Sequence, residues 1–377
     1  MKIGIYTLPF KTNYGGILQA WALQNVLEKM GHQVEVIMPV PVFRLKCKWY
    51  IKPLVYSKRF LKNILKLSSN PIFWEKAAYY KLGKNLRNFT TNNIKIAYYK
   101  QFEDIKNHNY DLLIVGSDQI WRPKYNKSNG IALEDSYFNF AKDWNVQKIS
   151  YAASFGVDYW EYNEEETKLC KQLISQFKAV SVRETSGIQL CKEHFGVDAK
   201  LLLDPTLLLK ADDYNHLIPS DLPQIKGNLM CYILDRTQMS DKLIEFVAGH
   251  LKMTPFNANS EFSNERAELE KRILPPIELW IKGFKEASFI ITDSFHACVF
   301  SILFRKPFMV IVNSNRGKAR IDSLLSLFNL NNRIIQTQDS NVNILKLVDE
   351  AIDYDSVFEL LDKWKMKSMS FLVDSLK

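Results

Sequence analysis

Long apolar runs are missing from this 377-residue sequence. No window approaches the ~20 apolar residues that a membrane-spanning helix needs. The opening MKIGIYTLPF passes straight into a strand pattern without a signal-peptide cleavage site, so the expectation is a protein that stays in the cytoplasm. Low-complexity tracts and repeats are absent too, which leaves the composition of a folded globular chain. Cysteine is sparse: Cys47, Cys170, Cys191, Cys231 and Cys298 form no C-x-x-C pair, and an odd count excludes a fully paired disulfide framework. They read as buried thiols. His, Cys and acidic residues do not cluster at ligand spacing, so no metal is expected.

Acidic residues are nearly absent from one region. Between Arg44 and Lys100 fourteen Lys or Arg stand against one acid, Glu75, a net +13 in a chain whose total is +9; the remainder is therefore −4. Trp49, Tyr50, Tyr56, Phe60, Phe73, Trp74, Tyr79, Tyr80, Tyr98 and Tyr99 are interleaved with those cations. That composition suits helices on an anionic membrane surface. A solvated basic face over an aromatic core reads equally simply. Nucleic acid is not expected, because no recognition motif accompanies the charge.

What the sequence does contain is a regular alternation of apolar strands and amphipathic helices. Lys2–Leu8 reads as a strand, followed by Asn13-Tyr14-Gly15-Gly16 and a helix that stops at Gly31. A second strand, QVEVIMPV, completes a β-loop-α-β unit and predicts a parallel sheet. Asn13, Gly15 and Gly16 thus open a helix at the carboxyl end of a strand, where backbone N–H groups can hold an anion. The G-x-G-x-x-G fingerprint is absent, and a tight turn with no ligand is the plain alternative. Tyr110–Val115 ends in Gly116-Ser117-Asp118-Gln119-Ile120-Trp121-Arg122, either a binding loop or an Asx-type turn. Lys148–Ser154 and Ala179–Arg183 read as further strands.

The length favours two domains and hence a cleft. The expected boundaries are 1–212, with a basic aromatic helical insertion at about 44–100, then 213–347, then a helix at 348–377 returning to the first domain. Two doubly wound parallel sheets should face each other. In the second, the strand SFIITD ends at Asp293-Ser294-Phe295-His296 and a helix follows. His296 therefore occupies the position where open α/β sheets place ligand chemistry. The other five histidines fall at polar helix ends or in loops. A capping role is the structural alternative for His296.

The ordered set Asn13–Gly16, Gly116–Asp118, Ser181–Glu184, Leu203–Thr206, Thr292–His296 and Ala319–Ile321 resembles the polysaccharide pyruvyl transferases. Their fold is similar to the two-Rossmann GT-B glycosyltransferase architecture. The resemblance implies transfer of a pyruvyl group from phosphoenolpyruvate to two hydroxyls of one sugar, forming a cyclic ketal on a surface polysaccharide or its lipid-pyrophosphate-linked precursor. It needs no cofactor. The chemistry requires an acid to protonate the methylene carbon and cations to hold carboxylate and phosphate. His296 aligns with the family's catalytic histidine as general acid. Arg183 aligns with an arginine suited to gripping the donor. Asp118 and Asp293 are expected to orient the histidine or the acceptor. Ser294, Asn13, Gly15, Gly16, Ser117, Arg122 and Arg320 are expected to bind substrate.

One departure stands out. Many members carry Arg where this chain has Ser294, so Arg122, Arg316 or Arg320 must replace that cation, or the donor differs. A glycosyltransferase using a nucleotide sugar on the same architecture is the first rival, and a family member without chemistry the second. The basic arm implies an enzyme peripheral to the inner face of the membrane, beside a lipid-linked acceptor.

Overall fold

A computed structural model of the chain describes residues 1–43, 47–262, 264–312, 318–335 and 340–377. The first sheet contains β1 (Lys2–Tyr6), β2 (Gln33–Pro39), β3 (Ile96–Tyr99), β4 (Leu112–Val115) and β5 (Gln147–Ser150) in the order β3-β2-β1-β4-β5. All four pairings are parallel. A parallel sheet is covered on both faces, which is why β1 and β4 read as nearly unbroken apolar runs and are buried throughout their centres. A short pair, β6 (Ser181–Val182) and β7 (Lys200–Leu201), continues this half.

The second sheet joins β8 (Leu229–Tyr232), β9 (Pro255–Phe256), β10 (Phe289–Thr292), β11 (Phe308–Ile311) and β12 (Ile334–Ile335) in the order β12-β11-β10-β8-β9, again all parallel. In each sheet the strand order reverses beside the first strand, between β1 and β4 and between β8 and β10. Ligand crevices form outside the carboxyl ends at such switch points. The two switch points face each other.

The chain crosses between the halves twice. The first crossing runs from Asp204 to the short helix Ala211–Asn215, where the Tyr214 ring packs between Trp21 and Phe300 at centroid distances of 5.4 and 4.8 Å. Tyr214 is fully buried, so this passage is part of the core. The second crossing is the helix Tyr354–Ser375. It starts on the second half, where the Tyr354 hydroxyl donates to the carbonyls of Ser301 and Lys306. It finishes on the first, where Ser368 Oγ accepts from Leu203 N at 3.1 Å and Phe371 meets Tyr151. The single helix expected from Val348 onward is two helices, Asn341–Asp349 and Tyr354–Ser375, because Asp353 caps the second by accepting from the N–H groups of Asp355 and Ser356.

The basic segment needs one correction. Its last part, Ile96–Tyr99, is the edge strand β3 rather than helix, so the insertion between β2 and β3 is shorter than the expected 44–100. Arg44 and Lys46 lie outside the described residues. Among the described residues no helix is long and apolar enough to cross a membrane. The cysteines are free; Cys47 is half-buried and the other four are buried.

Candidate active site

A cavity of about 440 Å³ lies between the two switch points. From the first half it is lined by the loop Leu8–Asn13, by Gly15 and Gly16, and by Asp118 and Gln119; from the second by Tyr232, Trp280, Asp293–His296 and Arg320. Two helices aim their N-termini at it: α1 (Tyr14–Lys29), preceded by Asn13, and Phe295–Leu303, preceded by Ser294, neither of which makes a side-chain cap bond. Neither carries an acid in its first turn. The first N–H groups of a helix have no intrahelical partner and sit at the positive end of its dipole, so both termini favour an anion in the space between them.

His296 lies in the first turn of its helix and is the one buried histidine of the six. Its Nε2 is 3.6 Å from Asp204 Oδ2, beyond hydrogen-bond reach, and has no hydrogen-bond partner. Asp204 is fully enclosed. Its Oδ2 accepts from Arg183 Nη1 at 2.7 Å and Ser117 Oγ at 2.9 Å, and its Oδ1 from the amide and hydroxyl of Thr206 at 3.0 and 2.6 Å. Burial alone would raise the Asp204 carboxyl, but the His296 ring, Arg183 and Thr206 hold it far below the usual carboxylate range. A carboxylate therefore faces the imidazole.

In α1 Tyr14 is followed by two glycines, and Gly15 leaves no room for a side chain. A Cβ at Gly15 would lie 2.0 Å from His296 Nδ1, and one at Gly16 would lie 2.8 Å from Asn13 Nδ2 and 2.9 Å from Asp118 Oδ2. The Asn-Tyr-Gly-Gly stretch thus lets the backbone of one half rest directly on the imidazole of the other. Gly15→Ala is expected to cost about 1–3 kcal/mol of stability, as overpacking does, and to shift the His296 ring resonances. Gly249→Ala is the control: its Cβ would meet nothing within 4 Å, inside the helix Gln238–Leu251, so it should stabilise by about 0.5–1 kcal/mol. Urea unfolding of the two variants checks both signs.

Several sequence-predicted residues sit in this site, but their placement differs from expectation. Arg183 does not line the cavity. Its guanidinium is fully buried among Asp204, Asp118 (Nη2 to Oδ1, 3.3 Å) and Glu184 (4.0 Å). Burial would lower its pKa, yet these carboxylates hold it above its ordinary value. It cannot grip a donor without leaving three buried acids behind, so it positions Asp204 and Asp118 instead. Ser117 likewise braces Asp204 from outside the cavity. Arg122 is also off the cavity, paired with Glu161 at 3.1 Å and donating to Gln119. Asp118 lies on the cavity but accepts from Asn13 Nδ2 at 2.9 Å rather than facing His296; its backbone is left-handed, at φ 69°. Asp293 accepts from the amides of Leu234 and Asp235 at 2.7 and 3.1 Å and so holds the loop after β8. The carboxylate that faces the imidazole is Asp204, which the sequence marked only as part of Leu203–Thr206.

Of the three cations weighed against the missing arginine, Arg320 lines the cavity, Arg122 does not, and Arg316 lies outside the described residues. Burial and the nearby Arg183 charge pull the Arg320 guanidinium down to about 10, which leaves it charged at neutral pH. The Phe295 ring stands between the two arginines, 4.5 Å from Arg183 and 5.7 Å from Arg320. Lys11 also lines the cavity.

Fold and site together define a two-domain α/β protein with a cationic inter-domain cleft built on a buried histidine. Three solved structures are similar in fold. Arabidopsis thaliana UGT89C1 complexed with UDP-L-rhamnose superimposes with a TM-score of 0.53 at 8% identity, over 98% of each chain. A glycosyltransferase from Rickettsia africae ESF-5 gives 0.52 at 12%, covering 100% of this chain and 99% of that one. UDP-GlcNAc 2-epimerase from Neisseria meningitidis bound to UDP-GlcNAc gives 0.51 at 9%, with coverage of 100% and 99%. At such identities the likeness is one of fold: two Rossmann-like domains in the GT-B arrangement. No curated protein matches the sequence. The sequence matches the polysaccharide pyruvyl transferase family over residues 13–315, and the chain belongs to that family.

Proposed function

We propose that this chain transfers the pyruvyl group of phosphoenolpyruvate to two hydroxyls of one sugar, giving a cyclic ketal and inorganic phosphate. The observation that carries the reading is the pairing of His296 with the buried Asp204 carboxylate beneath a cavity bounded by two helix N-termini and Arg320. Phosphoenolpyruvate brings a carboxylate and a phosphate, and the two N-termini with Arg320 and Lys11 offer sites for both. Asp204 lies beside Nε2 and the Gly15 backbone packs against the Nδ1 side, which fixes the ring at the cavity wall.

In the reaction His296 protonates the methylene carbon, and the cation that forms at the neighbouring carbon is attacked by the first hydroxyl. The bond to the phosphate oxygen breaks, and the second hydroxyl closes the ketal. Of the two hydroxyl protons, one restores His296 and the other leaves with phosphate. Developing negative charge on the phosphate is stabilised by the fixed N–H dipoles and guanidinium, which need no reorganisation.

A ligand-shift unfolding experiment tests the donor. Phosphoenolpyruvate at about a hundred times its dissociation constant should raise the unfolding free energy by about 2.7 kcal/mol, and Arg320→Gln should lose most of that gain. Stabilisation by UDP-sugars with none by phosphoenolpyruvate would move the assignment to glycosyl transfer and make Ser294 the mark of a changed donor.

A further inference from the structure

We propose that the arm around α2 (Lys52–Ile64), with Trp49 and Tyr50 before it, is a docking surface for an anionic lipid bilayer. An ordinary surface helix turns its apolar stripe inward and its charges outward. In α2 the inward side does hold half-buried Val55 and Tyr56, the latter against Phe73 at 5.3 Å, but a second apolar stripe faces outward. Its protein-facing side is tied down by polar contacts: Arg59 holds Glu75 through two bonds of 2.7 and 3.1 Å and the Ile72 carbonyl at 2.8 Å, and Asn63 donates to the Asn70 carbonyl. Its outward side carries Leu54, Leu61 and Leu65 on one stripe at helical spacing, with exposures of 71, 55 and 64%. Phe60 and Ile64 flank it and are also exposed.

Charge identifies the partner. Lys58 sits within the stripe, and Lys52 and Lys66 lie at the helix's ends; none has an ion-pair partner among the described residues. Glu75 is the only acid from Cys47 to Lys100, and Arg59 already occupies it. Lys62 turns aside to Glu265 and is not part of the face. Trp49, 79% exposed, and Tyr50 open the arm, and such rings settle at the level of lipid headgroups. An apolar stripe set among cations and edged by Trp and Tyr matches a helix lying in the interfacial plane of a negatively charged leaflet. A second copy of the chain fits poorly, since a symmetric contact would set these lysines against their own copies.

The arm is held rigidly against the second half of the molecule. Buried Arg272 donates to Ser69 Oγ and Asn70 Oδ1, each at 2.9 Å, and its guanidinium lies 4.6 Å over the Trp74 ring. From Arg272 the chain continues through Leu274, which donates to the Leu82 carbonyl, and Pro275, which accepts from the Tyr14 hydroxyl, into the helix bearing Trp280 on the cavity wall. Docking would therefore hold the cleft close to the bilayer. Only the identity of a membrane-borne acceptor rests on the reaction proposed above; the docking does not.

Co-sedimentation with vesicles of phosphatidylcholine alone and of phosphatidylcholine mixed with phosphatidylglycerol tests the proposal. The full chain should pellet with the mixed vesicles at low salt and stay in solution with the neutral ones. Affinity should drop at least about tenfold in Lys58→Glu/Lys66→Glu and in Leu54→Glu/Leu61→Glu. All four side chains are exposed, so both variants should keep wild-type unfolding curves and any phosphoenolpyruvate stabilisation. A wild type that ignores the mixed vesicles, or variants that bind as it does, would overturn the proposal. So would a dimer in sedimentation equilibrium that Leu54→Glu/Leu61→Glu dissolves, since the face would then belong to a second copy. Failure here leaves the donor test intact, and the reverse holds.

Discussion

Asp204→Asn is expected to lower the unfolding free energy by about 3–5 kcal/mol, the usual cost of removing one partner from a buried ion pair. The carboxylate accepts on both oxygens: Arg183 and Ser117 donate to one, the Thr206 amide and hydroxyl to the other. An amide of the same shape has one accepting oxygen. Whichever way it turns, an NH2 group confronts a donor, and Arg183 remains buried with less opposing charge. The dependence on pH has a definite sign. The folded-state carboxyl lies below its unfolded value of about 3.9, so its contribution is fully present above about pH 4 and is lost as pH falls further. Urea unfolding should show wild-type stability falling more steeply than the variant's below pH 4. Parallel curves would mean that the carboxylate contributes no stability linked to its ionisation.

His296→Gln is expected to leave the fold nearly intact while reducing turnover by about 10²–10⁴, the range for loss of a general acid. The stability effect should be modest because Nε2 makes no hydrogen bond that is lost, although Asp204 gives up the ring that helps hold its carboxyl low. Glutamine keeps a polar group of similar reach beside Asp204 but carries no transferable proton near neutral pH. Phosphoenolpyruvate should still stabilise the variant, because the helix termini and Arg320 are unchanged, while release of inorganic phosphate in the presence of acceptor should collapse. Phosphate release at the wild-type rate would reduce His296 to a packing residue under Gly15.

Much of the architecture was legible in the sequence, for a physical reason. Strands buried on both faces must be apolar throughout, so β1, β4 and β10 stood out as runs, and β4 and β10 ended in polar residues, among them Asp118, Gln119, Asp293 and Ser294, that now rim the cleft. The two-residue strand β6 was read within Ala179–Arg183, whereas β9 and β12 are too short to show a period. Strand β3 was hidden because Ile96–Tyr99 shares its composition with the basic aromatic arm. The histidine was legible from its position after a buried strand. Its partner was not: Asp204 reaches His296 only when the carboxyl ends of two sheets face each other, and local spacing carries no trace of that. The buried setting of Arg183 was hidden for a related reason. Asp118, Glu184 and Asp204 come from three separate loops, and only their convergence shows that this arginine is already fully engaged. The one local hint was Glu184 directly beside it.

The helix Tyr354–Ser375 has a consequence for motion. It leaves the second half at Tyr354, where Arg305 also pairs with Asp355 at 3.0 Å, and is fastened to the first at Lys365, Ser368 and Phe371. With the Asp204–Asn215 passage it gives the molecule two straps rather than one thread. The Arg272 contacts to Ser69 and Asn70 add a further fastening between the same two bodies. Attachments at several separate places resist rotation of one half against the other, which keeps the His296 ring seated against the Gly15 backbone from the opposite half.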